Sequence, residues 1–166
     1  PQKTSVLNSL VSFARVFDPE NIIIMVDDER SCSAIPSFVR KAPCYSIDHC
    51  IDPAYRVPTM DCILKTLFHV AKTDIVGFIN GDILVFDSFA HSAFLAYTSF
   101  KSFLMVGRRH IGVGPPLLEE SSEDEWDYLE TYTESLTIDN GYAIDYFVTR
   151  KASAVELLRT LPPFLV

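Results

Sequence analysis

Three features of the 166-residue chain predict an α/β domain with a mostly parallel sheet sandwiched by helices. Short apolar runs rich in β-branched residues alternate with longer segments whose apolar residues recur at helical spacing, and short links join them. Two of the runs, residues 22–26 and the run that begins at Asp74, lead into acidic residues, at Asp27-Asp28 and, through Asn80-Gly81, at Asp82. In open parallel sheets ligands bind beyond the carboxyl ends of the strands, so these carboxylates are expected at the binding edge. With 48% hydrophobic residues the chain can bury one sizeable core, and a single domain over residues 1–166 is expected.

Each element has its own signal. Residues 6–17 place Val6, Leu7, Leu10, Val11, Phe13, Ala14 and Phe17 at helical spacing, and Asp18-Pro19 closes the segment. The run at residues 22–26, followed by Asp27-Asp28-Glu29, fits a parallel strand buried on both faces. A second short strand is predicted at residues 44–47. Residues 59–71 return to helical periodicity through Met60, Ile63, Leu64, Leu67, Phe68 and Ala71, with Thr59 as N-cap. A strand is predicted over residues 74–85, broken by Asn80-Gly81-Asp82 and resuming as Ile83-Leu84-Val85.

Asp87 or Ser88 then caps a helix running to about Tyr97, and residues 102–107 form a further buried strand. Residues 114–135 contain Pro115-Pro116 and then, over residues 119–134, eight acidic residues among sixteen, the composition of a mobile, solvated excursion. Residues 143–149 are strand-like. Residues 152–161 are helical through Ala154, Val155, Leu157, Leu158 and Leu161, and Pro162-Pro163 stops them.

Charge and hydropathy exclude two classes of partner. A net charge of −8 and a pI near 4.9 argue against nucleic acid, which needs clustered Lys and Arg rather than an isolated Arg108-Arg109 pair. No apolar run approaches the roughly 18 residues of a membrane span, because Lys101 interrupts the apolar segment at 94–106. Cys32, Cys44, Cys50 and Cys62 lack the paired spacing of a zinc site. They either cross-link in an oxidising lumen or remain small buried hydrophobes; the second reading is preferred, and no compartment follows. A start at Pro1 and an apolar end at Leu165-Val166 read as a domain incomplete at both ends, with an end that favours self-association.

The chemistry concentrates at Asn80-Gly81-Asp82. Mn2+ and Mg2+ prefer oxygen ligands and take one or two protein carboxylates, leaving other positions to phosphate oxygens and water. Asp82 fits that ligand role, with Asn80 as a neutral neighbour. Gly81 permits a tight turn and close approach of a diphosphate to the backbone. The bland reading of the same tripeptide is a turn, for which Asn-Gly is a common signal.

The order of several segments resembles GT-A fold glycosyltransferases, the nucleotide-diphospho-sugar transferases. Asp27-Asp28 at the end of an apolar strand is similar to the nucleoside-binding edge of that Rossmann-like fold. Phe78-Ile79-Asn80-Gly81-Asp82-Ile83-Leu84 resembles its DxD-type metal site, with Asn80 in place of the first Asp. Phe103-Leu104-Met105-Val106-Gly107-Arg108-Arg109, Asp124-Glu125-Trp126 and Asp145-Tyr146-Phe147-Val148 resemble successive segments of one branch of such transferases.

The resemblance implies a Mn2+- or Mg2+-dependent transfer of sugar from a UDP- or GDP-linked donor to an acceptor the sequence does not identify. It departs from the family in that no strand precedes the first helix, and in His110-Ile111-Gly112-Val113, which lacks the expected aromatic and acidic residues.

Roles for individual residues follow, each beside a structural alternative. Asp27 and Asp28 accept hydrogen bonds from ribose or base, or else begin a turn or cap the next element. Arg108 and Arg109 pair with phosphate through their planar forks, or one of them pairs with the acidic excursion. Asp145 faces the acceptor and acts as general base on its hydroxyl, or, as the resemblance favours, contacts the acceptor without a catalytic role. His91 and His110 are further candidate ligands or bases, whereas His49 and His69 have no identifiable partner. Trp126 stacks on a sugar ring or, as the safer reading, anchors its loop.

Two competing functions stand beside glycosyl transfer. One is an inactive module of the same fold used in protein interaction. The other is nucleotidyl transfer, which is weaker because no Gly-rich phosphate loop with a basic residue lies near residues 1–12.

Overall fold

The computed structural model of the chain describes residues 2–107, 110–112, 118, 122–138 and 145–160. Helix α1, Gln2–Val16, opens the chain. Its Leu10, Phe13 and Ala14, with Phe17 just beyond its end, pack against Ile22, Val39 and Ala42. Strand β1, Ile24–Val26, is followed by the single turn α2, Glu29–Cys32, and by β2, Cys44–Ser46. Strands β1 and β2 pair in parallel, with Met25 opposite Tyr45.

Helix α3, Met60–Val70, buries Met60, Ile63, Leu64, Leu67 and Phe68, the stripe that its periodicity predicts. Strand β3, Ile75–Ile79, helix α4, Asp87–Ser99, and strand β4, Leu104–Gly107, come next. Beyond them lie β5, His110–Ile111; α5, Glu123–Glu134; β6, Thr137–Ile138; β7, Tyr146–Arg150; and α6, Lys151–Thr160.

The expected mostly parallel, Rossmann-like sheet is not formed. Among the described residues the only parallel pair is β1-β2, while β3, β7 and β4 form a separate sheet in that order. Strand β7 runs antiparallel to both neighbours, with Phe147 opposite both Phe78 and Val106. The reason lies between β4 and β7. There the chain runs through β5, α5 and β6, with β5 and β6 paired antiparallel, instead of a single crossover helix, and it re-enters the sheet in the opposite direction. Apolar runs of four or five residues carry no directional information, so the sequence pattern could not distinguish the two arrangements.

Pairing register places Val76, Phe78, Phe147 and Thr149 on one face of this sheet. Val76, Phe78 and Phe147 pack there with α3 and with Ala154 and Leu158 of α6. Helix α4 lies on the opposite face, where Phe89 meets Tyr146 edge-on at 5.1 Å. Arg150 of β7 stacks 3.8 Å over the Tyr97 ring and donates to the carbonyls of Tyr97 and Phe100, satisfying the end of α4 with a cation.

Three further expectations are revised. Strand β3 ends at Ile79, and Ile83-Leu84-Val85 does not resume it. The acidic stretch holds helix α5, started by a reciprocal Ser122/Glu125 capping box, and Trp126 is only 4% exposed against Val11 and Leu118. The four cysteines form two disulfides, Cys32–Cys44 and Cys50–Cys62, joining α2 to β2 and the turn at Asp48–Cys50 to α3. Residues 161–166, including Leu165 and Val166, lie outside the described residues.

Candidate functional site

The Asn80-Gly81-Asp82 turn leaves β3 at its carboxyl end and is held from three directions. Within the turn, the Ile83 amide donates to the Asn80 carbonyl at 3.3 Å. From α1, the buried Ser9 hydroxyl donates to the Ile83 carbonyl at 2.7 Å, and the Val85 amide donates to the Ser12 hydroxyl at 3.1 Å. These two serines occupy the apolar side of an amphipathic helix, and they explain why Ile83-Leu84-Val85 leaves the sheet. Their bonds satisfy backbone groups that would otherwise pair in a ladder.

From the other side comes Asp145. The Asn80 amide donates to the Asp145 carbonyl at 3.1 Å, and Asn80 Nδ2 lies 3.4 Å from Asp145 Oδ1. The Asp145 amide in turn donates to the Gly107 carbonyl at 3.2 Å. One residue, only 4% exposed, thus joins the turn after β3 to the end of β4.

Gly81 and Asp82 are both exposed. A Cβ at Gly81 would meet open space, and its φ is not positive, so the fold itself does not require glycine there. A chain that leaves this position bare keeps its backbone accessible to a ligand. Gly107 contrasts with it: a Cβ there would overlap the Tyr146 ring. Burial pushes the Tyr146 phenol above its ordinary pKa.

Asp27 is exposed at the carboxyl end of β1. Asp28 is the N-cap of α2: its Oδ1 accepts from the amides of Arg30 at 2.8 Å and Ser31 at 3.2 Å, and its Oδ2 accepts from Ser31 Oγ at 3.0 Å. The Ser31 hydroxyl, helped by the two amides and by Arg30, holds this carboxyl below its ordinary range. Arg108 and Arg109 lie outside the described residues. Trp126 is the anchor of α5, with its ring 5.1 Å from Phe86.

A hard divalent cation fits the donor set of the turn in its chemistry. Asp82 offers an exposed carboxylate and Asn80 an amide oxygen, the kind of ligands Mn2+ and Mg2+ take alongside phosphate. His49, Cys50 and Cys62 form a different cluster, with ligand atoms within 4.8 Å of one another. Both sulfurs are committed to the Cys50–Cys62 disulfide, so they are not available as thiolate ligands. His49 contacts Cys50 Sγ at 3.5 Å and Thr66 Oγ1 at 3.4 Å, partners that sequence reasoning missed. A concavity lined by Cys32, Arg40 and Cys44, among others, includes none of the candidate donor residues.

No helix among the described residues is long and apolar enough to cross a membrane. In comparisons with known proteins, no family model, no curated protein and no solved structure matches the chain.

Proposed function

We propose that the protein binds a nucleoside diphosphate sugar with Mn2+ or Mg2+ at the Asn80-Gly81-Asp82 turn and transfers the sugar to an acceptor. The observation that carries this reading is an exposed Asp82 carboxylate in a segment pinned at Asn80 by Asp145, at Ile83 by Ser9 and at Val85 by Ser12. A site that must keep its ligands in place rests on supporting bonds of this kind around it. Asp82 supplies the anionic ligand, and bare Gly81 admits the diphosphate to the backbone. Asp27 accepts from the ribose or base, Asp28 stiffens the same loop as its cap, and Arg108 and Arg109 pair with phosphate. A cation held there offsets the charge that develops on the departing diphosphate. Calorimetry of UDP and GDP with and without Mn2+ tests the reading: metal-dependent binding supports it, and binding that ignores metal opposes it.

The second reading is a non-catalytic module used in protein interaction. It is favoured by Leu104 and Val106 of the edge strand β4, each 46% exposed. The same calorimetry separates the two, because an interaction module has no use for the nucleotide.

A further inference from the structure

We infer that Asp145 is a positioning residue that sets the orientation of the Asn80 side chain for a cation. This rests on the metal site proposed at Asp82 and assigns a specific job within it. An ionised carboxylate only accepts hydrogen bonds, whereas a primary amide has a donating end and an accepting end. Asp145 Oδ1 sits 3.4 Å from Asn80 Nδ2, so the amide turns its NH2 to Asp145. Asn80 Oδ1, an oxygen of the type that hard cations take, is thereby freed from that contact.

The backbone adds to the constraint. Asn80 N–H donates to the Asp145 carbonyl across 65 residues of sequence, so both the main chain and the side chain of Asn80 are keyed to one partner. Asp145 is itself tied to the Gly107 carbonyl, next to Arg108 and Arg109 in sequence. Its 4% exposure suits a group that works through its neighbour, as carboxylates behind metal ligands do.

The test compares the full-length protein with Asp145→Asn and Asp145→Ala, without ligand and with UDP or GDP plus Mn2+. Asn at 145 keeps the shape and the backbone bonds but offers its own NH2, which no longer selects the orientation of Asn80. Without ligand, the Asn80 side-chain NH2 followed by NMR is expected to be protected from exchange in the parent, less protected in Asp145→Asn, whose amide oxygen accepts in only one of its two orientations, and unprotected in Asp145→Ala. With ligand, Mn2+-dependent nucleotide affinity of the folded protein is expected to fall roughly tenfold in Asp145→Asn, while metal-free affinity stays within error.

If Asp145→Asn keeps both the NH2 protection and the Mn2+ dependence and loses only turnover, Asp145 is the base on the acceptor and the positioning role is overturned. If the parent shows the NH2 protection but no metal-dependent binding, the cation site itself fails and takes this role with it. An unfolded Asp145→Ala leaves the isosteric Asp145→Asn to decide.

Discussion

The guanidinium of Arg15 lies over the indole of Trp126, 4.8 Å from the ring centroid, while its Nη2 meets the Glu123 carboxylate at 2.5 Å. Helix α1 therefore holds α5 by one residue that satisfies both an aromatic face and an acidic first turn. Asn8 adds a buried bond, accepting from the Leu118 amide at 3.0 Å. The same helix supplies Ser9 and Ser12 to the Asn80 turn, so α1 links the acidic helix to the candidate site.

Trp126→Ala is expected to destabilise the fold by about 3–5 kcal/mol, the cost of emptying a buried aromatic site. Arg15→Ala should cost less, about 1 kcal/mol, because the Glu123 partner is mostly exposed. Urea unfolding of both variants measures the order, and a Trp126→Ala protein as stable as the parent would show that α5 is not docked.

Both disulfides close loops with a sequence separation of 12. Loops of this length correspond to about 3 kcal/mol each in the chain-entropy picture, or roughly 6–12 °C in melting temperature for a domain of this size. Cross-links of this kind persist in oxidising surroundings. Thermal melts with and without dithiothreitol, and of the paired change Cys50→Ser with Cys62→Ser, check this. Four titratable thiols in the untreated protein would contradict the pairing.

Gly81 in the candidate site and Gly107 beside it should respond to substitution in opposite ways. Gly107→Ala drives a Cβ into the Tyr146 ring and is expected to destabilise by about 1–3 kcal/mol. Gly81→Ala enters open space at an ordinary φ, so stability should hold or rise by about 0.4–1 kcal/mol. Its nucleotide affinity should nevertheless fall, because the methyl group occupies the approach to the backbone. Melts and calorimetry on the same two proteins separate the effects.

Acid should weaken the fold through its caps. Glu125 is held below its ordinary range first by the Ser122 amide and then by the Ser122 hydroxyl, and Asp28 first by the Ser31 hydroxyl. Both shifts are downward. The stability they contribute is therefore complete above the ordinary carboxylate pKa and is lost as pH falls below about 4 through the lower folded values. Urea midpoints measured from neutral pH to about pH 3 are expected to fall less steeply in Glu125→Gln and Asp28→Asn than in the parent.

Local periodicity was legible in the sequence and direction was not. Met60, Ile63, Leu64, Leu67 and Phe68 announced α3 because a helix buries one stripe at that spacing. Nothing in Tyr146-Phe147-Val148 tells which way β7 runs, since strand direction follows from the path of the preceding chain. The acidic composition around Trp126 hid a docked helix, although Ser122 and Glu125 had the spacing of a capping box. At the candidate site, Asp82 was visible as a carboxylate after an apolar run. Ser9 and Ser12 were not, because small polar residues on an apolar helix face carry no periodic signal. The bond from Asn80 to Asp145 spans 65 residues, a separation that no local pattern encodes.

The most direct measurement of the central claim is calorimetry of UDP and GDP, with and without Mn2+, on the full-length parent and on Asp82→Asn. If Asp82 ligates a cation that bridges to the diphosphate, the parent binds at least one nucleotide more tightly with Mn2+. The variant should then lose that increment, roughly tenfold or more, with its melting temperature unchanged because the side chain is exposed. Equal Mn2+ dependence in the two proteins, or no nucleotide binding by the parent, would contradict the cation site. An Asp82→Asn protein that melts early while its folded fraction binds normally would make Asp82 a residue of the turn and nothing more.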